Sequence, residues 1–139
     1  MSDEVTNFVS GLPKKRTPNN QPEDVFEIEY TGEWNYQIEA GGIKVFIDGY
    51  RGRTILEAKY VKNPQRSPFI SGSGIPEAIR QKILNQIRYE IERIGIVIRD
   101  SDNPFNSLEV ITNHPDSQSF FESLLEEFDI PGLVLLVEQ

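Results

Sequence analysis

Residues 43–61 read IKVFIDGYRGRTILEAKYV, and the fold follows from how this stretch pairs with itself. Two apolar runs flank Arg51-Gly52, so the pattern predicts strands over 43–50 and 53–61 joined by a two-residue turn. That turn sets Tyr50 opposite Arg53 and Asp48 opposite Ile55. Opposed residues share a sheet face, as do residues two apart on one strand. Asp48, Ile55, Glu57 and Lys59 therefore lie on one face, and Leu56, Ala58 and Tyr60 on the other. Asp48 and Glu57 become diagonal neighbours, roughly 7–8 Å apart. The assignment depends on an even turn, because a three-residue turn would send Asp48 to the opposite face.

Two carboxylates that close repel each other, and one protonates unless a cation lies between them. Both can reach one magnesium ion, whose oxygen bonds are about 2.0–2.1 Å long. A bound metal polarises a phosphoryl oxygen and lowers the pKa of its water. Lys59 alongside can hold the attacking water or stabilise the charge that develops on phosphorus. Acid, acid and lysine form a minimal kit for phosphodiester hydrolysis. The alternative is a Glu57–Lys59 surface ion pair with Asp48 capping the turn.

Outward from the hairpin, Trp34 to Ala40 predicts a strand, and Gly41-Gly42 joins it to the next as a two-residue turn. The three strands then form an antiparallel meander. Glu23 to Thr31 fits a short helix, with Pro22 and two acids at its start; alternation of Phe26, Ile28 and Tyr30 would fit a strand. Residues 1–22 hold Gly11, Pro13, Pro18 and Pro22 between polar runs and read as a flexible tether. On the C-terminal side, 62–75 is a Pro-, Ser- and Gly-rich loop. Pro76 then opens a long helix to about Arg99, with an apolar stripe of Ile79, Ile83, Ile87, Ile91, Ile94 and Ile98. Its polar face carries Arg80, Lys82, Asn85, Gln86, Arg88, Tyr89 and Arg93. A strand over 108–112 follows, then a helix over 115–128. A continuous apolar strand, 133–137, closes the chain and is expected to be well covered. The order α-β-β-β-α-β-α-β predicts a mixed sheet flanked by helices, an α/β (α+β) fold.

Composition bounds the chemistry. The 139 residues suit one domain, 23–139, behind the tether. No apolar run approaches about 18 residues, so no membrane span is expected. The start, Met-Ser-Asp-Glu, lacks the features of a signal peptide. Zero cysteines exclude disulfides and thiolate metal sites, and the single histidine, His114, disfavours zinc. A metal held by oxygens alone points to Mg or Mn. The net charge of −8 is unevenly placed. Residues 1–99 hold all 14 Lys and Arg against 13 acids, and residues 100–139 hold 9 acids with no base. The acidic third is either a solvated face or a face turned away from a polyanion met by the basic part.

The acid at a strand end and the following Glu57-Ala58-Lys59 resemble the PD-(D/E)xK nuclease superfamily, the restriction-endonuclease fold. Ile47 stands where that pattern usually has proline. More narrowly, Ile47-Asp48-Gly49-Tyr50, Leu56 to Val61, Ser67-Pro68-Phe69-Ile70, Glu109 to Asn113, Phe120-Phe121 and Ile130-Pro131-Gly132 resemble restriction-endonuclease-fold toxin domains of bacterial polymorphic toxins. The resemblance spans about 26–138. It implies an α-β-β-β-α-β core and a Mg-dependent endonuclease toxin acting on DNA, with RNA as the alternative substrate and a silent binding module as the alternative class. It assigns Asp48 and Glu57 to the metal, Lys59 to catalysis, and Glu27 or Glu29 as a further ligand from the first helix. Arg51, Arg53, Lys62, Arg66, Arg80 and Arg88 are candidate phosphate contacts, joined by Gln86 and Tyr89 on the long helix. The resemblance also implies a cognate immunity protein and delivery within a secreted toxin to a target-cell cytoplasm. The short leading segment suits either a module of a longer toxin or a small free-standing one.

Overall fold

The computed structural model describes residues 2–69 and 74–138. The central stretch divides where the sequence predicts continuity. β2 (Trp34–Ala40) and β3 (Ile43–Ile47) pair antiparallel across Gly41-Gly42, with Ala40 opposite Ile43. Both glycines hold positive φ, +58° and +79°, as a tight hairpin turn requires. The strand expected over 43–50 then breaks at Asp48. Ile47 ends β3 in one sheet, and Gly49 begins β4 (Gly49–Arg51) in another. A Cβ on Gly49 would lie 2.1 Å from the Thr31 carbonyl oxygen, so only glycine lets the preceding helix press this close to the break.

β4 pairs with β5 (Thr54–Lys59), and Arg51 faces Thr54. The turn is therefore Gly52-Arg53, one residue later than expected. Gly52, at φ +57°, takes the first loop position, where the favoured hairpin turns demand positive φ. The pairing shifts by two residues. Parity survives, but Asp48 now falls across from Glu57 instead of diagonal to it.

The three-stranded meander is thus split between two sheets. One has the order β1-β2-β3 and is antiparallel. The other has the order β4-β5-β6-β7 and is mixed, with β5, β6 (Ser107–Thr112) and β7 (Gly132–Leu136) parallel. Four helices complete the described residues, giving the mixed α+β, restriction-endonuclease-like architecture.

The segment expected as a tether is part of this fold. α1 (Ser2–Ser10) buries Val5 and Val9, and β1 (Lys14–Arg16) pairs with β2. Val5, Phe8, Val9 and Leu12 form an i, i+3, i+4, i+7 stripe against the main core. Four apolar residues outweigh the prolines around them.

α2 (Pro22–Thr31) is the expected short helix, with Pro22 in its first turn and Gly32 ending it at φ +101°. It covers the mixed sheet through Phe26, which packs on Leu56 and Ile111. The expected loop over 62–75 carries one short 3-10 turn, Pro64–Arg66; residues 70–73 of it, including Ile70, lie outside the described residues.

α3 (Glu77–Arg99) crosses over between β5 and β6, with Pro76 just before it. The isoleucine stripe is only partly buried. Ile91, Ile94 and Ile98 enter the core with Leu84 and Val97, while Ile79 is 53% exposed. The first turns of α3 therefore stand clear of the core. α4 (Pro115–Glu127) is capped by His114, whose Nδ1 accepts the Asp116 amide at 3.1 Å. The strand expected to be well covered, β7, is the edge of its sheet. Only Val134 is buried, and Leu133, Leu135 and Leu136 are exposed.

Candidate active site

Asp48 occupies the joint between the two sheets, where its amide has no ladder partner. Glu57 supplies one: its Oε2 accepts the Asp48 amide at 2.9 Å. In return Asp48 Oδ2 accepts the Ala58 amide at 2.8 Å. The two carboxylates are thereby fixed side by side. Glu57 is 1% exposed, the most deeply buried acid described. Lys59, two residues along the same face of β5, places Nζ 4.0 Å from Glu57 Oε1.

The structure adds a fourth member from α3. Glu90 Oε1 accepts from Lys59 Nζ at 3.0 Å. It also lies within hydrogen-bonding reach of Glu57. Sequence reasoning passed over Glu90. The available signal was an acid set within the isoleucine stripe of α3, beside Ile83, Ile87 and Ile94, on the side that packs toward the sheet.

The electrostatics follow from burial. Asp48 is pushed up to about 7, first by burial, against the pull of Lys59 and with a further push from Glu27. Glu57 is raised well above the ordinary carboxylate range by burial and then by Asp48. Burial alone would lower Lys59, but Glu57, Glu90 and Asp48 outweigh it and hold the ammonium above its ordinary value. Burial would likewise raise Glu90, yet Lys59 and the hydrogen bonds from Glu57 and Lys59 keep it below. One cation thus faces three acids, too many for it to neutralise if all were ionised, and the raised Asp48 and Glu57 take up protons instead.

Of the two candidate helix ligands, Glu27 is the one that acts on Asp48. It is held by Thr17 Oγ1 at 2.9 Å and Asn35 Nδ2 at 2.9 Å. Glu29 is exposed on α2. The candidate phosphate contacts are scattered. Arg51 lies on the opposite face of the mixed sheet, bound to buried Glu109 at 2.6 Å. Arg53 pairs with Glu4 and the Pro104 carbonyl, and Arg80 with Glu77 and the Pro68 carbonyl. Arg88 grips Glu127 of α4. Lys62 and Arg66 are exposed in the loop after β5. Gln86 and Tyr89 line a groove along α3.

A divalent cation fits the donor set through two acids. Asp48 and Glu57 each give one oxygen to a backbone amide, leaving Oδ1 and Oε1 for a metal. Both are raised in pKa without one, which is the strain a cation relieves. Among the described residues no three His, Cys, Asp or Glu side chains converge closely enough to hold a metal ion. Two carboxylates plus waters is a set magnesium accepts, since it usually retains several waters.

The split sheet with an acid at the joint and Glu-x-Lys on the next strand defines a restriction-endonuclease-fold protein. The family model described as restriction endonuclease fold toxin 2 matches residues 22–131, and the chain belongs to that family. Comparisons with curated proteins and with solved structures found no match. The family assignment makes the chain a toxin domain and points to nuclease activity. Among the described residues no helix is long and apolar enough to cross a membrane.

Proposed function

We propose that the chain is a magnesium-dependent nuclease toxin that hydrolyses DNA at the Asp48–Glu57–Lys59 site. The observation that carries this reading is buried Glu57 locked against half-buried Asp48, both raised in pKa, beside a lysine held charged. Asp48 and Glu57 would hold Mg or Mn with waters completing its shell, and Glu27 on α2 would add negative charge close to Asp48. When bound, the metal supplies Lewis acidity toward a phosphoryl oxygen and a more acidic water.

The chain's own groups do the rest. Lys59 is already protonated, so it does not take the proton of the attacking water. It sets positive charge beside the phosphoryl oxygens as the new phosphorus–oxygen bond forms and the ester bond breaks. Glu90 fixes the ammonium's position. The water's proton passes to solvent, and the departing alkoxide is protonated. The products are a phosphate monoester and a free hydroxyl.

The test is cleavage of plasmid DNA, of single-stranded DNA and of RNA by the wild-type chain and by Lys59→Ala, each with magnesium and with EDTA. Magnesium-dependent DNA cleavage, abolished in a folded Lys59→Ala protein, is expected. Undiminished cleavage by that variant overturns the assignment, and preferential loss of RNA makes the chain a ribonuclease. The reading also implies an immunity protein in the producing cell, and delivery of this domain by a secreted toxin.

A further inference from the structure

Two aromatic side chains flank the site without belonging to the core. Phe46 lies on β3, two residues before Asp48, and is 38% exposed. Tyr89 lies on α3, one residue before Glu90, and is 59% exposed. Each ring carries a cation. Lys15 Nζ sits 4.4 Å from the Phe46 ring centre, and the Arg93 guanidinium 5.2 Å from that of Tyr89. Arg93 also donates to the Tyr89 hydroxyl at 3.1 Å and to the backbone carbonyl of Lys44. It thereby ties the helix that bears Tyr89 to the strand that bears Phe46. From Tyr89 a groove of about 510 Å³ runs along α3, lined by Ala78, Gln81, Lys82, Asn85 and Gln86. Acids on the Phe46 face include Glu39, opposite Lys44, and Glu27, bonded to Asn35.

We infer that this surface holds unpaired nucleotides, with Phe46 and Tyr89 stacking on bases and Lys15, Lys44, Lys82 and Arg93 meeting the backbone. The inference deepens the nuclease reading and rests on it for the identity of the polymer. Stacking on a side chain needs a base whose face is free, and bases within a duplex already cover one another. The cation over each ring takes one face, leaving the other for a base, and suits the phosphates next to a stacked base. The platform therefore selects single-stranded or unpaired substrate and delivers its backbone to Asp48 and Glu57.

The experiment measures fluorescence anisotropy of labelled oligonucleotides of about 12 nucleotides, within the site sizes that such grooves cover. The wild-type chain is held in EDTA so that the strand stays intact, and single-stranded DNA, single-stranded RNA and the matching duplex are compared at one salt concentration. The single strand is expected to bind at least tenfold more tightly than the duplex. Phe46→Ala and Tyr89→Ala are each expected to weaken single-strand binding roughly tenfold, with little change for the duplex. Phe46→Leu, which keeps apolar bulk without a π face, should behave like Phe46→Ala. The DNA and RNA arms tell which polymer the platform prefers. Equal affinity for single strand and duplex, or unchanged binding by both alanine variants, overturns the inference. If such binding holds and no nucleic acid is cleaved with magnesium, the nuclease reading falls and the binding surface stands. If duplex is cleaved readily by all variants, the reverse is true.

Discussion

The Asp48 amide donates to Glu57 Oε2 at 2.9 Å while Asp48 Oδ2 takes the Ala58 amide at 2.8 Å. The two acids are locked to the backbone through each other's neighbourhood. Glu57 is therefore both a ligand candidate and the acceptor that closes the joint between the sheets. Glu57→Gln keeps an oxygen for the Asp48 amide and should fold while losing activity by about a hundredfold or more. Glu57→Ala leaves that amide unsatisfied and should cost about 1–3 kcal/mol in addition. Urea melts of the two variants, run beside a cleavage assay, separate these effects.

The pH dependence of stability has a definite direction. Asp48 has an ordinary pKa of 3.8 and sits at about 7 in the fold. Between those values the folded chain keeps a proton that the unfolded chain has released. Metal-free stability should therefore fall as pH rises from about 4 to about 7, and Glu57, also raised, adds to the same trend. Asp48→Asn should flatten the profile and raise the melting midpoint at pH 8 by a few degrees. Magnesium should stabilise the wild-type chain at that pH and have little effect on the variant. Melting curves at pH 4, 6 and 8 test this.

Glu90 is a positioning residue that acts through Lys59. Glu90→Gln retains an oxygen for the ammonium but removes a charge that keeps it protonated. Activity should fall about tenfold, less than for Lys59→Ala, and the lost activity should be greatest at high pH, where a less firmly held proton leaves Lys59. A pH–rate profile of the variant against wild type reads the shift; coincident profiles would remove Glu90 from the mechanism.

The N-terminal segment should matter to stability. Val9 is 6% exposed in the main core. Val9→Ala should cost about 1–3 kcal/mol, where a solvated tether would lose nothing. Deleting residues 1–12 should lower the melting midpoint more. Thermal unfolding followed by circular dichroism is sufficient.

Arg51 is bound to Glu109, whose second oxygen is buried without a hydrogen-bond partner among the described residues. Arg51→Ala should destabilise by about 1–3 kcal/mol, because it leaves a carboxylate wholly unpaired. It should leave oligonucleotide affinity nearly unchanged, since Arg51 sits on the far face of the sheet. A variant that kept its stability but lost affinity would restore Arg51 as a phosphate contact.

Much of this site was legible in the sequence, for reasons that can be named. The face shared by Asp48, Glu57 and Lys59 depends only on parity, so a turn misplaced by one residue, which shifts the pairing by two, left it intact. The Gly41-Gly42 turn and α2 carried strong local signals. The break at Asp48 did not, because changing sheets alters no alternation pattern; it is imposed by α2 pressing on Gly49. Glu90 lies 31 residues beyond Lys59, and only the crossover of α3 brings them together. The ion pairs of the arginines were not legible either, because positive charge along a chain does not say which already has an internal partner. α1 was hidden by the prolines around a four-residue stripe.

The seam closed by Glu57 also bears on how the chain can be produced safely. Bacteria must make a toxin without being killed by it, and an inert form is the usual route to material for study. Removing Glu57 disarms the domain and loosens it at once, so such a preparation would misreport the shape of the active one. Asp48→Asn keeps the acceptor for the Ala58 amide and leaves the seam shut. Like Glu57→Gln, it should yield a faithful, harmless copy.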